Sequence, residues 1–198
     1  MTADHSEEGF SALFARAVAD VRATDIRGDL SVREIPAPTG VAPEALALAG
    51  DVRQTQDSAD SPYGTGRLIL LHDTSMPDPW GGPLRIVCFA QAPLEPEIGT
   101  DPLLADVAWS WLIDALDSRG AQYHSASGTA TKTLSKGFGS LADEGDGAQI
   151  ELRASWTPAG GSLSPHVEAW AELLGMLAGL PPGSEGIEIL SVRRRDRD

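Results

Sequence analysis

The chain predicts an α+β fold: a two-layer sandwich of a largely antiparallel sheet, five or six strands, with three helices in the order α-β(3-4)-α-β(2)-α. Three observations predict it. Apolar residues recur at helical spacing near the start, in the middle and near the end of the 198 residues. Between them lie short apolar runs bounded by Pro, Gly and Asp, of strand rather than helix length. Residues 149–156 alternate, with Ile150, Leu152, Ala154 and Trp156 against Gln149, Glu151, Arg153 and Ser155, the pattern of a sheet with one solvated face.

The first helix is placed at residues 8–23, where Phe10, Leu13, Phe14, Ala17, Val18 and Val21 form one continuous stripe. Ser6 is its expected N-cap, and Gly28 closes the exit turn. Residues 30–35 alternate and stop before Pro36 and Pro38, which predicts a short edge strand. Residues 43–53 carry both helical alanines and an alternating Leu46, Leu48 and Val52, and are read as a strand. Polar residues 54–66 read as a loop. Residues 67–72 and 84–90 are the two buried strands, joined by a long hairpin connector that contains Trp80.

The central helix is bounded by Asp101 at the N-cap, Pro102 at N1 and Gly120 past its end. Its main stripe is expected at Leu104, Val107, Ala108, Trp111, Leu112 and Ala115. Trp109 and Trp111 stand two positions apart, roughly 200° around an α-helix, so one buried stripe cannot centre both. Residues 122–134 form a Thr- and Ser-rich strand, and 135–147 a loop with an acidic tip. The last helix opens at Ser164-Pro165 and stops near Gly179. Beside its core stripe it carries a second apolar one, Leu173, Met176 and Leu180. Residues 187–192 suggest one more brief strand. A single domain is expected over residues 1–182, followed by an extension, 183–198, that ends in four Arg and two Asp.

Fifteen Lys and Arg against 29 Asp and Glu give a net charge of −14. Phosphate backbones and anionic lipid surfaces are bound mainly through clustered cations, so nucleic acid and membranes are disfavoured partners. Cys88 is the only cysteine and lies in an apolar run, where it reads as a small core residue. The polar, acidic start lacks the features of a signal peptide, and no run approaches the ~20 apolar residues of a membrane span. A cytoplasmic protein is the economical expectation.

Motifs for chemistry are sparse. The four histidines show no metal-ligand spacing, and there is no nucleophile elbow and no phosphate loop. No metal or cofactor is therefore expected. The weak candidates for catalysis are His72 and Asp73 at a strand end, and Glu95 and Glu97 in a proline-rich connector. As a set they could do acid–base work or hold a cation, although a strand cap with a turn and a solvated loop with a helix cap are the preferred readings. The aromatic and apolar surplus points elsewhere. Trp80, Trp109, Leu173 and Met176 are the expected interaction residues of a non-enzymatic protein-binding or adaptor module, as a homodimer or with another protein. An enzyme built on the four weak candidates is the alternative.

The element order is similar to that of secretion-chaperone-like proteins, which implies a small acidic chain that binds extended segments of other proteins. A closer resemblance lies in the residues themselves. It runs through Leu71-His72-Asp73, Trp80-Gly81, Leu94-Glu95-Pro96-Glu97, Trp109-Ser110-Trp111-Leu112, Arg153-Ala154-Ser155-Trp156-Thr157-Pro158 and Ala178-Gly179-Leu180-Pro181-Pro182. These resemble an uncharacterised actinobacterial family, a domain of unknown function, over residues 8–182. The resemblance implies no catalytic residue.

Overall fold

The structure, a computed structural model, describes residues 4–53 and 64–180, with the side chains of residues 12–53, 64–142 and 145–180. Helix α1 (Asp4–Ala23) leads into strands β1 (Leu30–Ile35), β2 (Glu44–Val52), β3 (Thr65–His72) and β4 (Leu84–Leu94). A single turn, α2 (Pro96–Gly99), and the longer α3 (Leu104–Ser118) follow, then β5 (Tyr123–Lys136), β6 (Asp146–Pro158) and α4 (Ser164–Leu177). All pairings are antiparallel, in the order β1-β2-β3-β4-β6-β5. The α+β class, the six strands and the sequence of elements are as expected. The short strand β1, which ends before Pro36 and Pro38, lies at an edge as expected, and β5 forms the other edge.

Register places the core. Leu48, Leu68, Cys88 and Ala154 stand opposite one another across four strands, and Leu46, Leu70, Ile86 and Trp156 make the next row. All eight are buried. The helices cover this face. Phe14 of α1 stacks on His72, Trp109 of α3 meets Gly128, and Trp170 and Leu174 of α4 meet Gly50 and Gly66. Those last two glycines allow the close approach. A Cβ on Gly66 would stand 2.5 Å from the Leu174 Cδ2, and one on Gly50 2.8 Å from the Trp170 Cη2.

Several local expectations need correction. Ser6 falls inside α1, whose first residue is Asp4, so it is not the N-cap. Asp101 does not cap α3 directly. Its carboxylate accepts from the Leu103 N–H at 2.8 Å in a turn that precedes the helix. Ser164 is the first residue of α4, and the Leu163 N–H before it is bound by Asp20 of α1. Thr65 and Gly66 belong to β3 rather than to the preceding loop, and β4 continues through Pro93 to Leu94. The proposed strand 187–192, the arginine-rich end and residues 54–63 lie outside the described residues. Among the described residues no helix is long and apolar enough to cross a membrane.

Cys88 has no exposed surface, and burial pushes its thiol up to about 12. The thiolate is the reactive species. Reaction of the native protein with an aromatic disulfide reagent at pH 8 is therefore expected to be at least 100-fold slower than in denaturant. A thiol that reacts at comparable rates in both would show that β4 is not sealed beneath the helices.

Candidate functional site

The four weak catalytic candidates are not brought together. His72 points into the helix-covered side, where its Nδ1 meets Glu44 Oε2 at 2.6 Å and its ring stacks on Phe14 at 5.6 Å. Asp73 turns away into the hairpin connector and accepts the Ser75 N–H at 2.8 Å. Hydrogen bonds from Ser75, side chain first and backbone second, hold the Asp73 carboxyl below its ordinary range. Glu95 and Glu97 lie past the opposite end of β4, whose first residue, Leu84, is the partner of His72. Eleven residues of strand separate the two pairs, on the order of 30 Å at ~3.3 Å per residue. A site built from all four is excluded by this geometry. Among the described residues no three His, Cys, Asp or Glu stand close enough to hold a metal ion.

The apolar surface left outside the core is concentrated at one corner. Of the eight exposed large hydrophobic residues among those described, six are Ile98, Leu103, Val107, Leu134, Phe138 and Leu141. They come from α2, the start of α3, the end of β5 and the turn after it. The corner is knit together: the Leu134 Cδ2 would stand 2.9 Å from a Cβ on Gly99, next to Ile98. The Lys132 ammonium of β5 donates to the Asp101 carbonyl at 2.6 Å, which ties the strand to the approach to α3. Leu103 and Val107 are four apart and share one side of that helix. Beside them runs β5, a strand of fourteen residues that forms the edge of the sheet among the described residues.

Residues 10–188 match the family described as a protein of unknown function, DUF3000. The chain belongs to the DUF3000 family. No curated protein matches it, and no solved structure matches it. The matched span includes every strand and all of α2, α3 and α4.

In this DUF3000 chain the expected interaction residues have different fates. Leu173 is wholly buried, so it cannot contact a partner in this state. The reason is that α4 packs on the sheet and on α3, leaving it two covered sides rather than one. Met176 is half-buried against the core. The buried stripe of α3 is Leu104, Ala108, Leu112, Ala115 and Leu116. It turns towards Leu116 and away from Val107, so Trp109 and Trp111 straddle it, each half-buried against the core. The Trp109 ring lies over Gly128, where a Cβ would come within 2.7 Å of its Cζ3, which makes it a packing residue between α3 and β5. Trp111, expected at the centre of the core, flanks it instead. Trp80 is half-buried in the hairpin connector, and its carbonyl accepts from the Thr157 hydroxyl.

Val107 was expected in the core stripe of α3 and is exposed instead; Leu134, Phe138 and Leu141 were passed over because each is a lone apolar residue in a polar setting. Leu134 ends a run of Thr and Lys, and Phe138 sits between two glycines. Their isolation was the available signal, since a lone apolar residue in a strand or turn has no core to join.

Proposed function

We propose that this protein is a non-enzymatic, cytoplasmic protein-binding or adaptor module, chaperone-like in its mode of action. Its working surface is the β5 edge with the apolar corner beside it. The observation that carries the reading is the gathering of six of the eight exposed large hydrophobics on one corner, whereas exposed apolar residues on a monomer are usually scattered. An extended segment of a partner pairs with the free N–H and C=O groups of β5 and covers Leu134, Leu103 and Val107. A second copy of the chain presenting its own β5 edge satisfies the same chemistry. Trp80 and Met176 contribute only if the partner extends beyond the corner.

The test is a Leu103→Glu, Leu134→Glu double variant. Both side chains are exposed, so the variant is expected to fold with a melting temperature within a few degrees of the parent. It is expected to lose self-association in light scattering, or capture of the partner that the parent retains. A parent that stays monomeric at every concentration, with partners that bind the variant equally well, would overturn the reading.

A further inference from the structure

The opposite face of the sheet holds a buried positive charge with no counter-charge among the described residues. Arg85 stands between Leu84 and Ile86, both of which face the helices, so its side chain lies on the other side. It is only 7% exposed, and a guanidinium stays protonated in proteins. Its Nη1 donates to the Thr157 hydroxyl at 2.9 Å and to the Ser125 carbonyl at 3.0 Å. Its Nη2 donates to the Ser155 hydroxyl at 2.7 Å, the Ser155 carbonyl at 3.3 Å and the Ser127 hydroxyl at 3.4 Å. Every partner is neutral. Among the described residues no carboxylate forms an ion pair with Arg85. A buried charge without a counter-ion is costly even when its N–H groups are satisfied.

The backbone is bent to make this arrangement. The β5–β6 register is broken between His124 and Ser127, and within that bulge Ser125 takes φ +52°. A left-handed non-glycine residue is strained and tends to mark a functional position. The strain presents the Ser125 carbonyl to Arg85. At the rim of the cluster the Thr157 hydroxyl, which accepts from Arg85, donates its own O–H to the Trp80 carbonyl at 2.5 Å.

Ser127 and Ser155 differ from Thr157 in what remains free. Each accepts from Arg85 through an oxygen lone pair, which leaves its O–H to donate elsewhere. Both line a shallow depression of about 430 Å³ with Val87, Thr129 and Arg153. Arg153 brings a second cation to the rim, braced by Glu151 at 2.7 Å and lying over the Phe89 ring at 5.9 Å. Arg85 and Arg153 against Glu151 leave one net positive charge here, on a chain of net charge −14.

We propose that this depression is a binding site for one carboxylate group of a small ligand, which accepts from the Ser127 and Ser155 hydroxyls and from Arg153 and supplies the counter-charge that Arg85 lacks. A single negative charge balances the site, whereas a phosphate dianion over-compensates it. The site is independent of the β5 corner: Ser127 lies near the start of β5, and Leu134 near its end.

The test is a titration of the full chain, followed by amide chemical shifts, with sodium acetate, with inorganic phosphate at pH 7.5 and with sodium chloride at matched ionic strength. Saturable shifts at Ser127, Thr129 and Ser155 are expected with acetate and not with chloride. A Ser127→Ala, Ser155→Ala variant is expected to weaken acetate at least 10-fold. Arg153→Met is expected to weaken it several-fold with the fold intact, since that side chain is exposed. Arg85→Met is the sharper variant if it folds; the serine and Arg153 variants decide the matter if it does not. Shifts no larger than those of chloride, acetate binding unchanged in the serine variant, or phosphate binding more tightly than acetate would each overturn the proposal.

Discussion

Trp170→Ala is expected to lower the unfolding free energy by about 3–5 kcal/mol, the range for deleting a wholly buried large aromatic side chain. Trp170 has no exposed surface and sits where α4 meets the sheet, with its Cη2 and Cζ2 atoms over Gly50 of β2. Backbone closes that seat from below, so the cavity left by truncation cannot collapse easily. Trp170→Phe should cost much less, for two reasons. It keeps most of the apolar volume, and it removes an indole N–H that is buried without a hydrogen-bond partner among the described residues.

The same contact predicts non-additivity. A Cβ on Gly50 would stand 2.8 Å from the Trp170 Cη2 and 3.2 Å from its Cζ2, atoms that phenylalanine does not have. Gly50→Ala alone is expected to cost about 1–3 kcal/mol by overpacking. With Trp170→Phe the pair should be more stable than the sum of the single changes implies. Urea unfolding of the four proteins measures this. Strict additivity would show that Gly50 is not the seat of the ring.

The second large effect is a pH dependence. His166 is wholly buried, and desolvation lowers its pKa from 6.5 to about 4. Its Nδ1 accepts the Trp156 indole N–H at 3.1 Å, which fixes the neutral tautomer with the proton on Nε2. The folded state therefore resists a proton that the unfolded state takes up below about pH 6.5. Stability from this residue is complete above that pH, falls as the pH drops towards 4, and levels off below it. The total is about 3 kcal/mol, from ~1.4 kcal/mol per pKa unit.

The window belongs to His166. The carboxylates whose pKa values are lowered, Glu34, Asp51 and Asp73, start from ordinary values of 3.8–4.5 and act below it. His166→Phe is expected to be less stable at pH 7, because the Trp156 N–H loses its acceptor, yet nearly flat between pH 6.5 and 4.5. Parallel pH profiles for the two proteins would refute the assignment.

Much of the fold was legible because its signals are local and periodic. Alternation over residues 149–156 put Ile150, Leu152, Ala154 and Trp156 on the core side, and all four are buried. Pro36 and Pro38 marked the end of an edge strand, and Asp101-Pro102 marked the approach to α3. The functional candidates were less legible because proximity across strands is not local. His72 and Asp73 are neighbours in sequence but serve different sides of a strand end. Arg85 reads as one polar interruption in an apolar run. Its importance depends on Ser125, Ser127, Ser155 and Thr157, some 40 and 70 positions away, which only the β4–β6–β5 order brings to it.

By itself the sequence determined the class of fold, the order of its elements, the acidic charge and residues 67–116 as a hairpin and helix of the core. Periodicity, breakers and composition act within a few residues and need no partner. The tertiary structure decided which side of each helix is covered. Trp109 and Trp111 flank a stripe because Gly128 leaves room for one ring beside α3, and Leu173 is buried because α4 packs on two sides. It also decided where uncovered chemistry remains: an apolar corner at one end of β5 and, near the other, an arginine with no ion-pair partner among the described residues. Both arise from strand register, which joins residues far apart in the chain.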